Sequence, residues 1–435
     1  MTETSLDRII SEETFAGVLE GEAEMFFRIA NSLQFKSEAP RRRQQLYQLG
    51  IESNLLESFL DDHGAQHNQA FCFFRELVAS TRGFSKVGFA LEHLQRRFEG
   101  YGTLLDGVDP RRSEFLGSLE RAAGFIAEAL KRLLEAAREE ARSLGLHPVE
   151  QFFPEERYTT GLVNLQLPHN LGDERIDEET PRVAEVASKY LQVCAMFREV
   201  GIRRIEEPEA RETFFAKECT EERARVYEAT VHNLQSAYDT YIRDTSHESA
   251  DERLRSLRGH ASAAFHLLES VTGLTHFVER HEAGGRNEEQ KKRMGALVVR
   301  AEVREITLNH LLYWAGELIL LGESLARDIL SRFSTVQELE LELPAGVTIH
   351  ARPASLVVAI VNHYEMPVEL EVAGKTCNAA SILEVLIHAG SNPDERRYVF
   401  RGDVRPLGDI RALFEAGLGE DGLDKLPDSL AYLRD

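Results

Sequence analysis

The sequence predicts a multidomain protein. Mostly all-α helical bundles run to residue 333, and a small α+β module follows at the C-terminal end. Two observations carry this reading. Up to residue 333 the apolar residues recur at helical spacing on long runs, with a single short strand candidate. Beyond it, Glu338-Leu339-Glu340-Leu341-Glu342-Leu343 and Val368-Glu369-Leu370-Glu371-Val372 alternate strictly, which puts leucines and valines on one sheet face and carboxylates on the other.

A length of 435 residues with 43% hydrophobic content suffices for two or three domains with real cores. Residues 1–150 form a helical subdomain, with Leu55, Phe59, Phe74, Leu77, Phe84 and Leu91 on runs that suit antiparallel helices. Gly107-Val108-Asp109-Pro110 breaks the pattern, and a helix rich in Ala, Leu, Glu and Arg follows from about Ser113 to Leu144. The span from Gly145 to Glu174 is irregular and holds the strand candidate Leu162-Val163-Asn164-Leu165, so a boundary is placed there. A second helical bundle region covers 174–333. Thr180-Pro181 opens its first helix with a cap and a first-turn proline. Further helices are expected at about 208–243, 249–281 and 289–333, with a break at Gly284-Gly285.

The module covers 336–424. After the first alternating strand, Ala354, Leu356, Val357, Val358, Ile360 and Val361 make a very apolar helix suited to packing on a sheet. The second strand turns at Gly374-Lys375. Ser381 reads as the N-cap of a helix through Ile382, Leu383, Val385 and Leu386. Tyr398-Val399-Phe400 is the fourth strand, and Leu407, Ile410, Leu413 and Phe414 mark a third helix that Gly417 and Gly419 end. The order is βαββαβα, one sheet face covered and one wet. Only Ser334 and Thr335 separate the last bundle helix from the first strand, whereas a freely swinging arm needs a longer Gly-, Pro- or Ser-rich linker.

Net charge is −22, of which residues 336–435, with 9 basic and 17 acidic side chains, contribute −8. Such acidity argues against nucleic acid and against anionic membrane as partners. No secretory signal is evident, and the most apolar helix, His310 to Leu321, is too short and contains Glu317, so a cytoplasmic protein is expected. Cys72, Cys194, Cys219 and Cys377 are scattered without metal-ligand spacing and read as reduced thiols.

The chemistry concentrates at Val347-Thr348-Ile349-His350-Ala351-Arg352-Pro353-Ala354-Ser355. Proline suits the first turn of a helix, whose free N–H groups and dipole then face His350. That arrangement binds anions, phosphate especially. A neutral imidazole is a nucleophile near pH 7, and the guanidinium of Arg352 offers a fork that matches phosphate oxygens. The combination points to a histidine that carries a phosphoryl group.

Three segments, in order, carry a family likeness: His350-Ala351-Arg352-Pro353-Ala354, Cys377-Asn378-Ala379-Ala380-Ser381-Ile382 and Phe414-Glu415-Ala416-Gly417-Leu418-Gly419-Glu420. Residues 336–420, about a fifth of the chain, resemble HPr, the histidine phosphocarrier of the sugar phosphotransferase system. The resemblance implies an open-faced sandwich, phosphorylation of His350 at Nδ1, and Arg352 as phosphoryl stabiliser. It aligns Ser381 with the family's regulatory phosphoserine, and Ile382, Leu383 and Leu386 with its apolar partner-docking patch. The sequence departs from the family at Thr348 and Ile349, where glycine and leucine are usual, and at Ala380, where a basic residue is usual. The first helix also lacks the lysines and arginines that help such carriers dock on an acidic donor.

Elsewhere, His266 and Glu269 with His276 and Glu279 fall within about 140° on one predicted helix. Hydrogen bonding along the helix accounts for them; a bundle metal site also needs ligands from facing helices, and nothing in the sequence orders His260 or His310 in space as such partners. No metal and no cofactor is therefore assigned. The leading expectation is a phosphocarrier or phosphorelay regulator rather than a turnover enzyme. It would accept a phosphoryl group on His350 from a phosphohistidine donor resembling enzyme I and signal through the helical region to a downstream acceptor or regulated protein. The alternative is an interaction protein in which the carrier fold serves only as a binding module.

Overall fold

A computed structural model describes residues 9–36, 41–105, 109–158, 179–282, 288–344 and 346–434. The Leu162–Leu165 strand candidate, the Gly284-Gly285 break and the side chains of Thr180 and Pro181 lie outside the described residues. The chain forms two compact units, each assembled from separate stretches. The first gathers Met1–Gly172, Val200–His232 and Gly259–Leu318; the second gathers Asp173–Glu199, Asn233–Arg258 and Ile319–Asp435. Among the described residues, no helix is long and apolar enough to cross a membrane.

The regular elements of the first unit's described residues are all helices. Its helix Cys72–Arg97 packs between Arg42–Asp62 and Pro110–Ser143 and fully buries Phe74, Leu77, Phe84 and Leu91, which recur at helical spacing. Leu55, expected on the core face, is exposed, because Leu56 and Leu60 supply the buried stripe of Arg42–Asp62. The helix expected from Ser113 starts earlier, at Pro110, since the Asp109 carboxylate accepts from the Arg111 N–H at 2.8 Å and proline fills the first position.

Two long helices expected from the sequence are interrupted. The 208–243 span is two helices, Pro208–Glu218 and Glu221–Tyr241. Between them, Cys219 is buried with non-helical dihedrals. The 289–333 span contains helices Glu288–Leu297, Arg300–Glu305, Tyr313–Leu321 and Glu323–Phe333, with a π-helical turn at Ile306–Leu312. Within that turn the Asn309 side chain donates to the Ile205 carbonyl at 3.0 Å and accepts from its N–H at 2.9 Å, tying a loop to the widened helix. At Gly322, a residue of the second unit, any Cβ would collide with the Tyr190 hydroxyl, which donates to the Ile319 carbonyl at 3.0 Å.

The C-terminal module lies in the second unit. Strands β1 (Val336–Glu342), β2 (Val368–Val372), β3 (Lys375–Asn378) and β4 (Arg397–Asp403) form an antiparallel sheet of order β1-β4-β2-β3. Helices α1 (Ala351–Tyr364), α2 (Ile382–Gly390) and α3 (Val404–Glu415) complete the βαββαβα order expected from the sequence. One core joins sheet and helices through Leu339, Leu370, Phe400, Val357, Ile360 and Leu413. The wet side of β1 and β4 is laced by Arg397–Glu340 and Arg401–Glu338 pairs, both at 2.8 Å. Exposed pairs of this kind contribute little energy, but they favour the register that places Glu338 opposite Arg401. The chain beyond α3 packs on the same core, with Leu426 and Leu430 buried.

Candidate functional site

His350 is the N-cap of α1, with extended dihedrals (φ −112°, ψ −168°). Its Nδ1 accepts from the Arg352 N–H at 3.4 Å, and its carbonyl accepts the first helical bond, from Ala354, at 3.1 Å. Its Nε2 stands 2.8 Å from a carboxylate oxygen of Glu420, and the side chain remains 51% exposed. Pro353 is buried in the first turn, where its missing N–H leaves no bond unmade. Arg352 is exposed on the same turn, and the Ser355 hydroxyl donates to its carbonyl at 2.7 Å.

The Glu420 contact fixes a proton. A carboxylate accepts, so the ring nitrogen facing it carries hydrogen, and Nδ1 keeps its lone pair towards the helix start. The approach of Glu420 is built by the backbone before it. Gly417, Leu418 and Gly419 occupy the left-handed region in succession, with φ of 68°, 58° and 74°. Burial of Leu418 holds that costly conformation. At Gly419 a Cβ would lie 2.7 Å from a Leu356 methyl on α1, so glycine lets this turn close on the histidine's helix. Glu420 was not singled out as a site residue in the sequence; its only signal was its place at the end of the third matched segment.

The decisive comparison concerns this part of the chain. Residues 337–395 match the family model for the PTS HPr component phosphorylation site. No curated protein and no solved structure matches the chain. The HPr-like domain thus stands at the C-terminal end of a larger helical protein.

Within the HPr-like domain, Ser381 is the N-cap of α2, its hydroxyl accepting from the Glu384 N–H at 3.3 Å. The Glu384 carboxylate reaches back to the Asn378 N–H at 2.9 Å, and the Asn378 side chain accepts from the Ala380 N–H at 2.9 Å, so the loop before the helix is pinned. On α2, Ile382 and Leu383 are exposed, at 42% and 66%, together with Ile387 at 53%. Leu386 instead packs partly against the core. Three exposed apolar side chains on a short helix make a patch, to which the sequence reading had not assigned Ile387.

The histidines and glutamates singled out in the sequence do not converge on one point. His266 bonds Glu269 at 2.7 Å along its own helix, Glu252–Glu282, but His276 turns to Glu221 of Glu221–Tyr241 at 2.8 Å. Glu279 accepts from the Glu221 N–H at 2.7 Å. His310 pairs with Glu305 at 3.0 Å, and His260 accepts from the Leu104 N–H at 2.9 Å. Among the described residues no group of three or more His, Cys, Asp or Glu side chains is placed to hold a metal. Burial pushes the thiols of Cys194 and Cys219 up to about 12, and that of Cys377 up to about 11, so these three are protonated, weak nucleophiles near neutral pH.

Proposed function

We propose that the HPr-like domain, residues 336–424, accepts a phosphoryl group on Nδ1 of His350 from a phosphohistidine donor of a phosphotransferase system. The reading rests on one observation: Nε2 is engaged by Glu420 while Nδ1 faces the open start of α1. In the transfer, the Nδ1 lone pair forms a bond to phosphorus as the donor's N–P bond breaks, and the donor imidazole leaves with that electron pair. Nε2 keeps its proton, so positive charge grows on the ring next to the Glu420 carboxylate. The Arg352 N–H, released from Nδ1, and the Arg352 guanidinium are positioned to meet the incoming oxygens. Cytoplasmic phosphotransferase proteins are the partners this reading implies. The exposed Ile382, Leu383 and Ile387 would form the donor's docking surface, and Ser381 would be a regulatory phosphosite beside it.

The signalling half of the proposal rests on how the domain is attached within the second unit. Lys189 and Glu185 of helix Glu179–Val200 pair with Glu365 at 2.6 Å and with Arg405 at 3.4 Å. A charge gained at His350 would therefore act on a domain already held against helices. The test is incubation of the full chain with phosphoenolpyruvate and an enzyme I, followed by assay of acid-labile phosphate. Label on the parent and none on His350→Ala supports the assignment; equal label on both places the phosphoryl group on another residue, and none on the parent with any donor tried leaves only a binding module.

A further inference from the structure

The first unit contains a cleft of about 960 Å³ lined by helices Arg42–Asp62, Cys72–Arg97, Glu221–Tyr241 and Glu252–Glu282. That size lies within the roughly 300–1,000 Å³ of small-molecule sites. Its charge opposes that of the chain. In a protein of net charge −22, the lining carries Arg43, Arg82, Lys86, Arg225 and Arg280 against Glu228 and Glu269. Glu57 compensates Arg82 at 2.5 Å and Glu221 compensates Arg225 at 2.6 Å. Arg43 and Lys86 make no ion pair among the described residues. Burial, then the neighbouring Arg82, holds the Lys86 amine below its ordinary range. Burial, then Arg96 and Arg97, does the same to Arg43. Burial, then His266 and Arg43, pushes His93 down to about 4, so it is neutral near pH 7. The lining is thus net positive, with Glu57 as the carboxylate that acts on both Arg82 and Lys86.

A second observation is independent of charge. Arg43 Nε, His93 Nδ1 and Thr272 Oγ1, all from residues of this lining, are buried without a hydrogen-bond partner. Buried polar atoms are nearly always paired, so three at one cleft call for an explanation. All three are able to donate, His93 in the tautomer whose Nε2 accepts from the Tyr101 hydroxyl at 3.2 Å. A third concerns the apolar wall. The Arg43 guanidinium stacks 4.7 Å over the Phe89 ring, and Tyr47 and Leu55 line the same cleft while remaining exposed.

We propose that this cleft binds a small organic phosphate ester, its phosphoryl group held by Arg43 and Lys86 and its apolar body lying on Tyr47, Leu55 and Phe89. Two cations without an ion-pair partner of their own suit a group of several oxygens and up to two negative charges better than a single carboxylate.

Titration calorimetry on the full chain, with naphthyl phosphate, naphthol and inorganic phosphate as probes, tests the pairing of charge with apolar surface. The expected result is that naphthyl phosphate binds tightest and that Lys86→Met weakens it about tenfold, the scale of one lost charge-assisted hydrogen bond, while Lys86→Arg retains most of the affinity. Arg43→Met should weaken it as much; should that variant fail to fold, the Lys86 pair and the three probes on the parent decide. Naphthol or inorganic phosphate binding as tightly as naphthyl phosphate, no measurable binding of naphthyl phosphate, or unchanged affinity in Lys86→Met overturns the proposal.

Discussion

His350 Nε2 and a Glu420 carboxylate oxygen lie 2.8 Å apart, joining the start of α1 to the turn that follows α3. The contact matters because it selects which imidazole nitrogen stays free. Removing it should let the proton exchange between nitrogens. We expect Glu420→Ala to show a mixed tautomer population by nitrogen NMR of His350 where the parent shows mainly the Nε2-protonated ring. The pair is half exposed, so the loss should slow phosphoryl transfer by no more than about fivefold, the equivalent of ~1 kcal/mol. An unchanged tautomer ratio in Glu420→Ala would show that the carboxylate is a bystander.

Arg352 separates charge from geometry. Its backbone N–H meets Nδ1, and its side chain is exposed at the same helix start. Lysine at this position keeps the charge and loses the fork that matches phosphate oxygens. Arg352→Lys should therefore slow transfer to His350 without abolishing it, and Arg352→Ala should slow it further. Rates measured with a common phosphorylated donor check this; equal rates in all three proteins would remove the guanidinium from the reaction.

Ser381 poses a choice between cap and switch. Its hydroxyl accepts from the Glu384 N–H, so Ser381→Ala should cost about 1 kcal/mol in chemical denaturation whatever its other role. Ser381→Asp keeps an acceptor at the cap and adds a negative charge next to the exposed Ile382 and Leu383. The mimic should therefore be as stable as the parent but bind the phosphorylated donor more weakly. A mimic that accepts phosphate as fast as the parent would leave Ser381 a cap and nothing more.

These residues also show where sequence reading succeeds. Alternation at Glu338–Leu343 placed β1, and helical spacing of Ala354, Val357 and Val361 placed α1, because burial on one face forces a period. Ser381 was legible as a cap because hydroxyl side chains before apolar runs satisfy free amides. Glu420 was not, since its approach to His350 depends on three consecutive left-handed residues and on the absence of a Cβ at Gly419. Leu386 and Ile387 are adjacent in sequence, yet one leans on the core and the other is exposed, a difference set by how α2 is rotated on the sheet. The π-turn at Asn309 and the pairing of Glu185 with Arg405 arise from contacts between distant stretches, which spacing along the chain does not encode.

The joint before β1 is short in the sequence, and the structure shows what fixes it. The Ser334 hydroxyl donates to the Leu330 carbonyl at 2.6 Å, closing the last turn of Glu323–Phe333. Two residues on, the chain is in β1, and between them the Thr335 N–H donates to Asp403 at 2.9 Å. Asp403 is buried; its other oxygen accepts from the Arg405 N–H at 3.1 Å and from the Arg405 Nε at 2.8 Å. Arg405 in turn reaches Glu185. One carboxylate therefore links the joint, the start of α3 and, through Arg405, helix Glu179–Val200. Asp403→Ala removes a buried carboxylate that accepts from the Thr335 and Arg405 N–H groups, while Arg405 keeps Glu185, so it should destabilise the chain by about 2 kcal/mol. It should also raise hydrogen exchange at the Thr335 and Val404 amides, whose bonds close this joint. If attachment carries a signal, phosphorylation of His350 in the parent should change exchange in Glu179–Val200 or Glu323–Phe333, and Asp403→Ala should blunt that change. Exchange that changes nowhere outside 336–435, in parent and variant alike, would mean that the helices carry the domain without reading it.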